Sequence, residues 1–144
     1  MIEFTFKGIE VTADANSEQI DFRDSRGNHR TRFERKVTIG LKFWDFIIES
    51  GDFFALSFIK SVLQYFMQCY WKRTSKVSRI NFSKSLWRHD GTALNFTARQ
   101  KNDLNYLHIY LTENGKTVDE VYLDGQEVMM LDIAMGKVIN LLSP

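Results

Sequence analysis

The stretch Asp52–Trp71, DFFALSFIKSVLQYFMQCYW, decides how the rest of the chain is read. Ser57, Lys60, Ser61, Gln64 and Gln68 recur every three or four residues, one narrow polar stripe along an otherwise apolar helix. Lys60 is the single charge between Phe53 and Trp71. A segment this apolar raises the question of a membrane span. The regular stripe argues for a helix packed on protein, and no apolar flank lengthens it to a comfortable span, so no membrane partner is expected. Its rings spread around most of the circumference, more apolar surface than one small sheet covers. In a 144-residue chain a partner subunit is the easiest cover, with Phe54, Phe58, Phe66, Tyr70 and Trp71 at the interface of a homo-oligomer, dimer or tetramer.

Parts of this stretch have echoes downstream. Val62-Leu63-Gln64-Tyr65-Phe66 and Val138-Ile139-Asn140-Leu141-Leu142 share one apolar/polar pattern, as do Ile20-Asp21-Phe22 and Leu94-Asn95-Phe96, and Ser50-Gly51 pairs with Asp124-Gly125. A near-constant spacing implies two copies of one unit, each several strands closed by a helix. The first runs over about residues 1–72 and the second over about 76–144, inside a single domain covering 1–144.

Apolar residues make up 44% of the chain and aromatics 14%, so disorder is excluded as the overall state. The lone cysteine, Cys69, rules out an internal disulfide framework and fits a reducing, intracellular compartment: cytoplasm, or a nucleoid or organelle if the partner is DNA. The N-terminal MIEFTFKGIE has no basic region ahead of an apolar core, so it does not read as a signal peptide. Net charge is +1, but it is unevenly spread: residues 20–36 hold six Lys/Arg against three Asp/Glu, 72–101 eight against one, and 102–144 two against seven. That gradient suggests a basic face toward a polyanion; the plain alternative is charge on solvated strands.

Along the chain, residues 2–13 alternate as one strand with a bulge at Gly8, and Asn16-Ser17 reads as a turn. Ile20 and Phe22 open a second strand, Ser25–Asn28 a hairpin turn, and about Arg30–Ile39 a third strand with Phe33, Val37 and Ile39 toward the core. Leu41–Glu49 suits a strand or a helix, and the duplication decides for a strand. Ser50 or Asp52 then caps the first helix. After a polar joint at Lys72–Lys76 the second unit has turns at Arg88–Gly91, Asn102-Asp103 and Asn114-Gly115. It closes with a helix near Gln126–Leu142, whose Met129, Met130 and Met135 read as core filler. The fold class is α+β: a duplicated ββββα unit, two antiparallel sheets with two apolar helices.

No catalytic constellation is found. His29, His89 and His108 are isolated from one another, no phosphate-cradling glycine motif occurs, and Asp119-Glu120 alternates across a strand. The chain is therefore read as a non-enzyme without cofactor or metal, an enzyme built around His108 being the least favoured option. The informative residues lie on the solvent faces of strands: Arg23, Arg30, Arg32 and Lys36 in the first unit; Lys84 or Trp87, Arg99, Tyr106, His108 and Tyr110 in the second. Rings interleaved with cations suit single-stranded nucleic acid, whose bases stack while cations follow the phosphates. Tyr106 and Tyr110 could instead be a cross-strand pair that only stabilises the sheet.

Over nearly its whole length this architecture resembles the Whirly family, plant single-stranded-DNA binders that share a fold with the trypanosomal guide-RNA-binding proteins. Asp90-Gly91-Thr92-Ala93-Leu94-Asn95-Phe96 is similar to the family's lysine-glycine-lysine-alanine-alanine-leucine motif at Gly91, Ala93 and Leu94, and lacks both lysines. The resemblance implies sheets splayed like blades, helices at a tetramer core and nucleic acid across the blade edges. The expected function is a homo-oligomer binding single-stranded DNA or RNA with low sequence specificity. The alternative is a structural or assembly protein engaging other proteins through its sheet faces.

Overall fold

Turn chemistry sets the strand boundaries. Lys7-Gly8, Asn102-Asp103 and Asn114-Gly115 each have positive φ at both positions, the geometry of two-residue hairpins whose twist matches the flanking strands. The computed structural model describes residues 2–72 and 79–142. Sheet A contains β1 (Ile2–Phe6), β2 (Ile9–Arg23), β3 (His29–Phe43) and β4 (Phe46–Ile48), in that order and antiparallel, followed by α1 (Phe53–Lys72). Sheet B repeats the plan with β5 (Ser83–Trp87), β6 (Thr92–Lys101), β7 (Leu104–Glu113) and β8 (Lys116–Leu123), followed by α2 (Gly125–Leu142). This is the expected duplicated ββββα layout.

Several boundaries differ from those expected. Gly8 is a hairpin turn rather than a bulge, and Trp44 explains why it must be glycine: the indole occupies the space a Cβ there would need. Asn16-Ser17 makes no turn, because both residues sit within β2, paired to Lys36 and Arg35. Leu41–Glu49 is extended but folds back at Trp44-Asp45, giving the end of β3 and a short β4. Ile20 and Phe22 therefore lie far out on β2, while Leu94 and Phe96 fill the core. The counterparts of that second pair, on the core side of the second strand, are Ile9 and Val11. Of the polar joint, residues 73–76 lie outside the described residues.

Asp52 caps α1, its Oδ1 accepting from Ala55 N at 3.0 Å. Asp124 and Glu127 form a reciprocal box at the start of α2, each carboxylate accepting from the other's amide at 2.9 and 3.0 Å. The two helices cross-connect the units. Helix α1 packs its rings on the second unit, Phe58 against Phe96 and both Tyr65 and Phe66 against Phe82. Helix α2 lies along β1 and β2 of the first. Between the helices, Lys60 Nζ donates to Asp132 Oδ1 at 2.7 Å and to its carbonyl at 3.0 Å, so this member of the stripe turns inward. Ser57, Ser61, Gln64 and Gln68 stay at the surface. Among the described residues no helix is long and apolar enough to cross a membrane.

Of the expected interface side chains, Phe66 serves the interior instead, and Tyr70 is half-buried beside it. Phe66 is fully buried in the core shared by both sheets, because its position on α1 faces Phe82, just ahead of β5. Tyr70 stacks on Phe66 and fills the space a Cβ at Gly125 would need. Phe54 and Trp71 are exposed and Phe58 half-buried. Met135 is core, whereas Met129 and Met130 face outward with Ile133.

Candidate nucleic-acid interface

Period-two alternation sorts sheet B into two faces. Leu86, Leu94, Phe96, Ala98, Leu107, Ile109, Leu111, Val121 and Leu123 pack inward. By register, Trp87, Asn95, Thr97, Arg99, Lys101, Tyr106, His108, Tyr110, Glu120 and Tyr122 share the other face. Lys84 does not belong with them. It sits opposite Phe96, one position out of parity with Trp87, and lines a groove of about 500 Å³ with Phe58, Val62, Tyr65 and Phe82. Of the two residues offered for the outer face, Trp87 is the one found there, 68% exposed.

The rings of this face are arranged as a stack. His108 and Tyr122 are directly opposite across β7 and β8, with centroids 4.2 Å apart and planes at 2°; Tyr110 covers the other side of the imidazole at 4.4 Å. The Lys101 ammonium lies 3.6 Å from the Tyr122 centroid. Tyr106 and Tyr110 do not form a pair: the neighbours directly opposite Tyr110 are Asn95 and Glu120. Tyr110 Oη also lies 3.2 Å from Thr97 Oγ1. Both faces of His108 and both of Tyr122 are therefore occupied, while Tyr106 and Trp87 have no ring partner among the described residues.

His108 was expected to face outward. It does, yet it is only 6% exposed, because its ring neighbours cover it. Arg99 Nε donates to Nδ1 at 3.3 Å, which puts the imidazole proton on Nε2. Among the described residues Nε2 finds no hydrogen-bond partner; Glu120 Oε1, at 3.6 Å, is within electrostatic reach but too far to accept one. Burial pushes the His108 pKa below its ordinary 6.5, Glu120 opposes this, and Arg99 and Lys101 add to it. The ring is a neutral, stacked component of the sheet.

The first unit's cations are elsewhere. β1 pairs only with Ile9–Ala13 and β4 only with Leu41–Phe43, so the rest of β2 and β3 leaves sheet A as a two-stranded arm. From Ala15 to Arg23 it spans roughly 27 Å at 3.3–3.4 Å per residue, with nearly every side chain exposed. Asp24 organises its tip, Oδ1 accepting from Arg26 N and Asn28 N and Oδ2 from Arg30 Nε at 3.0 Å. Arg30 leads the causes holding the Asp24 carboxyl below its usual range. Arg30, Arg32 and Lys36 share one face of the arm and Arg23 lies on the other, opposite His29. Phe33 does not reach the core, because at its height the arm has no layer beneath it.

The expected site is thus two surfaces on two sheets. Arg99, Tyr106, His108, Tyr110 and Trp87 come together on sheet B, and Arg23, Arg30, Arg32 and Lys36 on the arm. Sequence reasoning missed Lys101 and Tyr122, although both follow from alternation: Lys101 continues the parity of Arg99, and Tyr122 stands between inward Val121 and Leu123. Among the described residues no cluster of His, Cys, Asp and Glu has the makings of a metal site. Compared with known proteins, the chain matches no family model and no curated sequence.

Proposed function

We propose that the protein binds single-stranded DNA or RNA, with little sequence preference, as a homo-oligomer. One observation carries this reading. The sheet B face turned away from the apolar core gathers Trp87, Tyr106 and the Tyr110–His108–Tyr122 stack beside Arg99 and Lys101. Trp87 and Tyr106, whose rings have no ring partner among the described residues, offer bases a stacking surface, and the neighbouring cations offer the phosphates a path. The resemblance to the Whirly family points to the same chemistry.

The test is a fluorescence-anisotropy titration of a labelled single-stranded oligonucleotide, beside its duplex, at two salt concentrations. The single strand is expected to bind more tightly and to weaken steeply with salt. Tyr106→Ala or Trp87→Ala should weaken binding at every salt concentration, by about 1–3 kcal/mol per stacked base. Absence of binding at low salt would overturn the proposal. A second reading, an assembly protein engaging other proteins through its sheets, draws on exposed Ile47, Leu104 and Val118 on β4, β7 and β8. Binding through those side chains would persist in salt that abolishes polyanion binding.

A further inference from the structure

We infer that the β2–β3 arm takes single-stranded nucleic acid through one face only, the face of Phe33, and not through the face of Arg30 and Arg32. This rests on the nucleic-acid reading above. The register puts Arg23 opposite His29, Asp21 opposite Thr31, Gln19 opposite Phe33 and Ser17 opposite Arg35 on one side of the ribbon. Phe22 opposite Arg30, Ile20 opposite Arg32, and Glu18 opposite Glu34 occupy the other.

On the second side both arginines are satisfied within the arm, and Lys36, opposite Asn16, sits at its base away from Phe22. Arg30 Nε is 3.0 Å from Asp24, Arg32 is 2.6 Å from Glu34, and the Arg32 guanidinium covers the Phe22 ring at 5.3 Å. A phosphate or base arriving there must first displace contacts the arm already makes. On the first side the one carboxylate, Asp21, accepts from Thr31 Oγ1 and Gln19 Nε2. Arg23 spends one donor on the Gly27 carbonyl at the tip. Phe33 is 72% exposed, and among the described residues no ring or cation covers it and no carboxylate pairs with Arg35. An uncovered ring between cations at both ends of a narrow ribbon is what a single strand needs: a base stacks on the phenyl while the flanking phosphates meet Arg35 and Arg23. Charge alone would not have chosen this side, since the opposite side holds as many arginines, Arg30 and Arg32, and Lys36 besides.

The experiment compares Phe33→Leu, Phe33→Trp and Phe22→Leu with the parent chain, using a labelled oligothymidine and a duplex of the same length. Phe33→Leu keeps an apolar side chain and removes the ring; it is expected to weaken single-strand binding about tenfold, the loss of roughly one stacked base. Phe33→Trp should bind at least as tightly as the parent and add fluorescence that the oligonucleotide quenches. Phe22→Leu should change affinity less than twofold. If Phe33→Leu binds as the parent does, or Phe22→Leu is the more damaging, the face assignment falls while the nucleic-acid reading stands. Equal binding of single strand and duplex would also overturn stacking on unpaired bases. If the parent binds neither oligonucleotide at low salt, both fall together.

Discussion

His108 illustrates how much a side chain's setting depends on neighbours that alternation does not reveal. Its parity was legible and its burial was not, because the cover comes from Tyr110 two residues along and Tyr122 on another strand. The setting has a consequence in pH. The folded state holds the imidazole neutral, whereas the unfolded chain takes up a proton as pH falls through about 6.5. The stability contributed by the neutral ring is therefore complete above that value and is lost as pH falls below it toward the depressed folded pKa. Urea unfolding at about pH 7.5 and 5.5 should show the parent losing more stability between the two than His108→Gln; equal losses would remove His108 as the titrating group. Lys84 and Phe66 teach the same lesson from the other side. Residue type suggests a place for each, but strand register moves Lys84 off the Trp87 face while leaving it exposed, and helix facing buries Phe66.

Among the elements, the helices were the most legible. The stripe on α1 and the apolar run of α2 lie where the 3.6 period put them, and Asp52 and Asp124 supply the caps. Lys60 is the exception, drawn off the exposed stripe by Asp132 on the other helix. Both groups are about one-fifth exposed, so the pair is screened less than a surface ion pair. Lys60→Met is expected to cost about 1.5–3 kcal/mol, the range for a hydrogen bond to a charged group. Chemical denaturation reads it, and a double variant with Asp132→Asn should restore part of the loss. Strand boundaries were less legible in sheet A than in sheet B. Asn114-Gly115 and Asn102-Asp103 announce their hairpins by residue type, whereas Lys7-Gly8 does so only through the glycine. Asn16-Ser17, a turn by composition, is held extended by its cross-strand partners.

For the whole molecule, the order of elements was readable because alternation, turn residues and helical period agree in both halves. The arm was not, since nothing in its sequence says that β1 and β4 stop short of it. Self-association is the prediction that belongs at this scale. Phe54, Tyr65 and Trp71 are exposed on α1, and Met129, Met130 and Ile133 on α2, apolar surface that a second copy would cover. Sedimentation at micromolar concentration is expected to find an oligomer, and Phe54→Glu, at an exposed position, to shift it toward monomer and to remove the rise of melting temperature with protein concentration. A clean monomer for the parent would remove this expectation.

The crossing of the helices bears on how the chain comes into being. During synthesis the first sheet and α1 are complete before α2 or any strand of sheet B exists, yet the rings of α1 find their seats on Phe82 and Phe96. Sheet A, for its part, packs against α2, which follows every strand of sheet B in the chain. The apolar cluster draws on both sheets and both helices, so its packing is complete only when both halves are present. Duplication here has produced two interlocked halves rather than two small domains, each helix lending part of its packing to the other half.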